Sequence, residues 1–229
     1  MTTNEQKISR VRRSKQDAQA MYDRISGWYD WLEGFWEKKA RKAGLAMLGA
    51  KPGEIILEIG VGTGHGVISL AQSAGAAGRV YGVDLSPRML DLTRARVKKM
   101  GLTDRVRLEC GDAAKLNFRA EYFDAIFLSF TLELFDSPEL PQVLGECWRV
   151  LRGAGRICVV SLSLAGRPTW MSRLYSWGHQ RFPKYLDCRP IFVRQLLEEA
   201  GYLVVEATEM SMWGLPVESV LAKKRLQSL

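Results

Sequence analysis

Histidine is scarce in this chain of 229 residues, which holds only His65 and His179. That excludes a histidine-rich metal site. The four cysteines, Cys110, Cys147, Cys158 and Cys188, stand far apart, with neither the close pairing of a zinc site nor the density of a small disulfide scaffold. They read as free thiols, mostly buried. No apolar run reaches the roughly 18 residues that a membrane-crossing helix needs. The opening MTTNEQKISRVRRSKQ lacks the apolar stretch of a secretory signal, so a cytoplasmic protein is expected. The Gly-Lys-Ser/Thr ending of a phosphate loop is missing too. Neither a repeat nor a low-complexity linker divides the sequence.

Positive charge is in surplus. The formal net charge is +8, on an otherwise ordinary globular background of 47% apolar and 25% charged residues. The surplus points to an anionic partner such as nucleic acid, an acidic lipid surface or an acidic small molecule, or serves solubility alone.

Residues 15 to about 49 show helical spacing, with Met21, Ile25, Trp28, Leu32 and Trp36 three or four apart, and predict two helices broken near Gly34. The texture then changes. GEIILEIG, GRVYGVD, DRVRLEC, YFDAIFLSF and GRICVVSLS are short apolar runs bounded by Gly, Asp or Arg, the signature of strands buried on both faces. Between them lie HGVISLAQSAG, then SPRMLDLTRARVKKMG with Ser86 as N-cap and Pro87 at the first helical position, then SPELPQVLGECWRVLRG with Ser137 and Pro138 repeating that arrangement. Alternation of strand and helix implies parallel βαβ units and a doubly wound α/β sheet. An aromatic and basic insert, about residues 164–190, precedes a helix at IFVRQLLEEAG and two last strands around YLVVEATEM and VESVLAKK, read as a short terminal antiparallel hairpin. The expected parse is an N-terminal helical lid over 1–49 and one ligand-binding domain over 50–229, with a mostly parallel seven-stranded sheet.

In such a sheet the first strand-to-helix turn is the usual ligand contact. Here it is ILEIGVGTGHG, residues 56–66. A dinucleotide fingerprint needs glycine at its first, third and sixth places, but counting from Gly60 or Gly62 the sixth place holds His65 or Val67. The pattern Glu58-x-Gly60-x-Gly62-x-Gly64 instead lets a ligand lie close to bare main chain with no anion on the helix N-terminus. His65 reads as a helix-capping residue, and Glu58 as a ligand contact or a holder of loop amides.

These residues resemble motif I of the class I S-adenosylmethionine-dependent methyltransferases, and the resemblance runs densely over residues 20–163. It implies S-adenosyl-L-methionine as cofactor, with S-adenosyl-L-homocysteine as its product, bound over Glu58, Gly60, Gly62, Thr63 and Gly64. Asp84 in VYGVDLSPRML matches the family acid that takes both ribose hydroxyls, with Leu85 and Met89 beside it. In CGDAAKL, Gly111 precedes an Asp112 facing the adenine amine and an Ala113 amide facing a ring nitrogen. Ser129 and Phe130 in FDAIFLSFTLEL match the pocket floor. ECWRVLRGAGRI resembles the motif in which a helix ends at a glycine turn before the fifth strand. Three carboxylates around the site complement a sulfonium far better than a pyrophosphate.

The N-terminal AMYDRISGWYDWLEGFWEKKARK resembles the start of the UbiE-like ubiquinone/menaquinone biosynthesis methyltransferases, which implies a lid with Tyr22 and Tyr29 over the cofactor. A lipophilic small-molecule acceptor follows from that resemblance, most simply a quinol precursor methylated on carbon. A phospholipid N-methyltransferase acting on phosphatidylethanolamine is the alternative, and a cofactor-binding membrane adaptor without transfer the non-enzymatic one. Lys7, Arg10, Arg12, Arg13 and Lys15, followed by Trp28, Trp31, Phe35 and Trp36, suit peripheral contact with an anionic membrane surface or simple packing on the sheet. Nucleic acid is disfavoured, because LSFTLELFD stands where amino-group methylases of that class carry an Asn/Asp-Pro-Pro-aromatic motif. Within the insert, His179, Tyr185 and Asp187 are the catalytic candidates, with no base assigned among them and His179 equally suited to an exposed helix surface.

Overall fold

The computed structural model describes residue 20 and residues 35–164, 189–212 and 214–225. The predicted first helix, Tyr22, Tyr29, Cys188 and the candidates His179, Tyr185 and Asp187 lie outside the described residues, as does most of the basic, tryptophan-rich N-terminal segment.

Among the described residues, thirteen elements follow in chain order: helix α1 (Phe35–Leu48), strand β1 (Ile55–Ile59), α2 (His65–Ala74), β2 (Arg79–Asp84), α3 (Pro87–Lys99), β3 (Val106–Cys110), β4 (Phe123–Ser129), a 3₁₀ turn (Leu132–Leu134), α4 (Leu140–Val150), β5 (Leu151–Leu162), α5 (Val193–Glu199), β6 (Tyr202–Met212) and β7 (Leu215–Lys224). The seven strands form one sheet in the order β3-β2-β1-β4-β5-β7-β6. The first five pair in parallel, whereas β7 runs antiparallel to both β5 and β6. The mostly parallel, doubly wound seven-stranded sheet expected from the sequence is therefore present.

The near-continuous apolar runs of the central strands follow from burial on both faces. Leu57, Ile59, Ile126 and Leu128 point into a core shared with Leu140, Val143 and Leu144 of α4 and Val193 and Leu197 of α5. Their chain neighbours Ile56, Ala125 and Phe127 point the other way, onto Val67 and Leu70 of α2, Leu90 and Val97 of α3, and Ala40 and Leu48 of α1. Helix α1 presents Ala40, Gly44 and Leu48, four apart, as its buried line. It ends where Gly49 turns left-handed (φ 58°) and donates its N–H to Leu45 O at 3.2 Å. Arg156 of β5 anchors that end. Its guanidinium donates to Leu48 O (2.6 Å) and Gly49 O (2.8 Å) and grips the Glu54 carboxylate with two bonds of 2.7 and 2.8 Å.

The expected cap of α3 is present: Ser86 Oγ accepts from Met89 N at 3.1 Å, with Pro87 in the first turn. Three expectations are corrected. Helix α4 does not open on Ser137 and Pro138 but at Leu140, with Pro141 in its first turn, because the Ser137 hydroxyl is taken by the buried Arg189 guanidinium at 2.9 Å. The same helix stops at Val150 rather than running to a glycine turn. Strand β5 has already begun at Leu151, and the Arg152–Gly155 stretch is absorbed as an irregularity between the pairs Phe123–Leu151 and Ala125–Arg156. The terminal hairpin is long rather than short, because β6 and β7 pair from Tyr202–Lys224 to Met212–Leu215. Of the thiols, Cys147 and Cys158 are buried, which pushes each up to about 12, while Cys110 is exposed.

Candidate functional site

Strand order reverses between β1 and β4, the topological position at which open parallel sheets bind ligands. A cleft opens there, lined by the end of β1, the loop after it, the start of α2, Ser129 at the end of β4 and the following Phe130, and Glu37 and Arg41 of α1.

The loop is held from both sides. Gly60 (φ 74°) donates to Val83 O at 2.8 Å, and a Cβ there would fall 2.2 Å from Thr131 Oγ1, so the turn passes only if the residue is glycine. Asp84, at the end of β2, accepts from Gly62 N through one oxygen and from Ser86 N through the other, both at 2.9 Å. Helix α3 adds two braces: Thr93 Oγ1 donates to Gly62 O at 2.8 Å, and Arg96 donates to Thr63 O at 2.8 Å and to its hydroxyl at 3.1 Å. The loop main chain is thereby fixed before any ligand arrives, and Asp84 faces it.

Glu58 lies beneath the loop at 2% exposure. Burial pushes its carboxyl up to about 8, with the charge of Arg41 pulling it down and that of Asp84 raising it further. Its Oε2 has no hydrogen-bond partner. The carboxyl approaches so near to α2 that a Cβ on Gly66 would sit 1.9 Å from Oε1. Glu37, half-buried one helical turn before Arg41, is raised by burial to about 7. Ser129 Oγ is another buried atom without a partner on the cleft wall. Phe130, beside it, holds a left-handed φ of 51°, a strained conformation for a bulky residue. Its N–H is fixed on Val160 O at 2.8 Å.

The structure brings together at this cleft Glu58, Gly60, Gly62, Thr63, Ser129 and Phe130, and places Gly64 at the cap of α2. Asp84 joins them through Gly62. Leu85 and Met89 follow Asp84, with Met89 buried and its amide on Ser86. Gly111 hangs from Asp84 O through its N–H at 3.0 Å, which sets Asp112 and the buried Ala113 beside that acid at the carboxyl end of β3. Asp112 Oδ1 accepts from Ala114 N at 3.0 Å. His65 is the first residue of α2 rather than its cap, and lines the cleft.

Sequence reasoning missed Glu37, Arg41 and Gly66. For the first two a signal existed: in α1 they fall on the same face as Ala40 and Gly44, so charged residues stand on the line that must meet the sheet. Gly66 was visible only as one more glycine. Among the described residues no group of His, Cys, Asp or Glu is arranged to hold a metal ion.

Residues 56–155 match a methyltransferase-domain family. The chain is 30% identical over 162 residues to the demethylmenaquinone methyltransferase of Lactobacillus johnsonii, covering 67% of this chain and 64% of that protein. It is 31% identical over 176 residues to the enzyme of the same name from Bacillus mycoides, 75% of this chain and 70% of that one. It thus spans a little under two thirds of the Lactobacillus protein's length and somewhat more of the Bacillus one. Among solved structures, a SAM-dependent methyltransferase from Aquifex aeolicus superposes with a TM-score of 0.66 at 21% identity, covering 87% of this chain and 98% of that one. That likeness concerns the fold. With its glycine loop, its sheet order and its relatives in agreement, the chain belongs to the class I S-adenosylmethionine-dependent methyltransferases, resembling their UbiE-like members.

Proposed function

We propose that this protein transfers a methyl group from S-adenosylmethionine to carbon of a quinol precursor of the menaquinone type. The observation that carries the reading is its likeness to demethylmenaquinone methyltransferases, at about 30% identity and reaching well beyond the glycine loop. The cleft suits the cofactor's chemistry. Glu58 and Arg41, an acid and a cation lining the same cleft, match the ammonium and carboxylate of an amino-acid tail, and Glu58 Oε2 is a buried acceptor lacking a donor. The Asp84 carboxylate is fixed by two amides, and each of its oxygens accepts more than one hydrogen bond, so it would take the two ribose hydroxyls. Asp112 and the Ala113 amide would meet the adenine edge. When bound, the cofactor supplies an electrophilic methyl group on a positive sulfur. The residues around it supply alignment and dryness, and exclude water with Phe130 and the α1 face.

Methylation tests the reading directly. The protein is incubated with labelled cofactor and an extract of quinones and phospholipids, and the extract is then resolved by mass spectrometry. A demethylnaphthoquinol that gains one methylene's mass supports the proposal. Label in phosphatidylethanolamine instead would establish the N-methyltransferase alternative, and an unlabelled extract a binding protein without transfer.

A further inference from the structure

The charge surplus is concentrated in one stretch. From Pro87 to Arg107 stand seven basic residues and two acidic ones, in a chain whose net charge is +8. Helix α3 carries five of the basic residues and one acid. Its two faces do different things. Met89, Leu90, Thr93 and Val97 are buried against the sheet, and Thr93 and Arg96 brace Gly62 and Thr63 of the glycine loop. Arg88, Leu92, Ala95 and Lys99, four, three and four apart, line the outer face with Asp91, Arg94 and Lys98 beside them, all exposed. Among the described residues one ion pair touches this face, Arg94 to Asp91 at 2.7 Å, which leaves Arg88, Lys98 and Lys99 as cations facing water.

Apolar surface is exposed on the same helix. Leu92 is 38% exposed and Met100, its C-cap, 48%, two of the four large apolar residues exposed among the described ones. The other two, Leu203 and Val205 of β6, stand beside the exposed acids Glu206 and Glu209, so only the α3 pair is set among cations. Arg107 of β3 is exposed too and donates to Thr103 O at 3.0 Å, just past the helix, which adds a positive charge at that end. A cationic surface with protruding apolar side chains complements the headgroups and upper acyl region of an anionic bilayer. Single-stranded nucleic acid would bring the same charge but stacks its bases on aromatic rings, and residues 87–107 contain no Phe, Tyr or Trp.

We propose that the outer face of α3 is a docking surface for an anionic lipid membrane, with Arg88, Lys98 and Lys99 on lipid phosphates and Leu92 and Met100 entering the interface. The helix starts three residues after Asp84 and holds the glycine loop from its inner side. A bilayer on its outer side is thereby one helix diameter, roughly 10–12 Å, from that loop. Any lipid-borne acceptor is served by this proximity, so the docking does not depend on the quinol reading.

Sedimentation of the full chain with sucrose-loaded vesicles tests the surface. Vesicles of equal parts phosphatidylglycerol and phosphatidylcholine are compared with pure phosphatidylcholine, and both are free of quinone, which keeps the result separate from that of the methylation assay. Wild type is expected to bind the anionic vesicles only, and more weakly as salt rises. R88Q/K98Q/K99Q is expected to lose on the order of 100-fold in partition coefficient, since each basic residue near an anionic surface counts for about fivefold. L92S/M100S is expected to lose about tenfold or more. Both variants keep the wild-type affinity for S-adenosylhomocysteine, because none of the five side chains lines the cleft. Anionic-vesicle binding undiminished in either variant would overturn the proposal. So would a loss seen only on neutralising Lys7, Arg10, Arg12, Arg13 and Lys15, which would put the contact on the N-terminal segment. Retention of polyuridylate in place of vesicles would also overturn it, by making the surface a nucleic-acid site.

Discussion

One close contact, at Gly66, sets the tolerance of the loop. A methyl group on Gly66 would overlap Glu58, with the carboxyl carbon only 2.5 Å from the added Cβ, so the buried Glu58 side chain would have to leave its place under the loop. Gly66→Ala is expected to destabilise the fold by roughly 2–4 kcal/mol, the range of overpacked or displaced buried polar groups, and to abolish cofactor binding; chemical denaturation and calorimetry read the two effects. The buried acids give a signed pH dependence. Glu133 is raised in the folded state from 4.5 to about 8, so the stability it confers is complete below the unfolded value and is lost as pH climbs to about 8. Denaturation of E133Q against wild type should therefore favour the variant increasingly between those pH values, by at most about 1.4 kcal/mol per pH unit. A constant difference would mean that Glu133 is ionised throughout.

At the scale of elements, Arg156 of β5 makes two hydrogen bonds to the end of α1 and two to the Glu54 carboxylate just before β1. Burial raises Glu54, but the bonds and charge of Arg156 outweigh it and hold that carboxyl below the ordinary range. Arg156→Met is expected to cost about 2–4 kcal/mol, since it strands a mostly buried carboxylate and two carbonyls, and to speed hydrogen exchange at Leu48 and Gly49 before it affects β1. What was legible beforehand divides along the same lines. The loop from Glu58 to Gly64, the acid closing β2 and the cap at Ser86 are local patterns, set by neighbours within a few residues. The start of α4 was not legible, because Ser137 is claimed by Arg189 from 52 positions away. Gly66 needed the approach of Glu58, a tertiary fact, to distinguish it from its fellow glycines.

Over the whole molecule, the sheet order places the described site residues at one edge, the carboxyl ends of the strands: the chain leaves the adjacent strands β1 and β4 there, the cleft opens where strand order reverses, and Glu37 and Arg41 of α1 line it. The alternation of strand and helix was enough to predict this edge, because parallel strands joined by right-handed crossovers leave little choice of topology. The long β6–β7 hairpin extends the sheet away from the cleft and exposes Leu203 and Val205, each about half accessible, on its outermost strand. No helix among the described residues is long and apolar enough to cross a membrane. The account depends on an adenosyl ligand lying over the Gly60–Gly64 main chain with its sugar on Asp84. Calorimetric titration of S-adenosylhomocysteine into wild type and Asp84→Ala, with NAD as the competing ligand, tests this most directly. The prediction is saturable 1:1 binding to wild type, a loss of roughly 100-fold or more in the variant from the missing charged hydrogen bonds, and no tight binding of NAD. Undiminished affinity in the variant, or tight NAD with no S-adenosylhomocysteine bound, would contradict it.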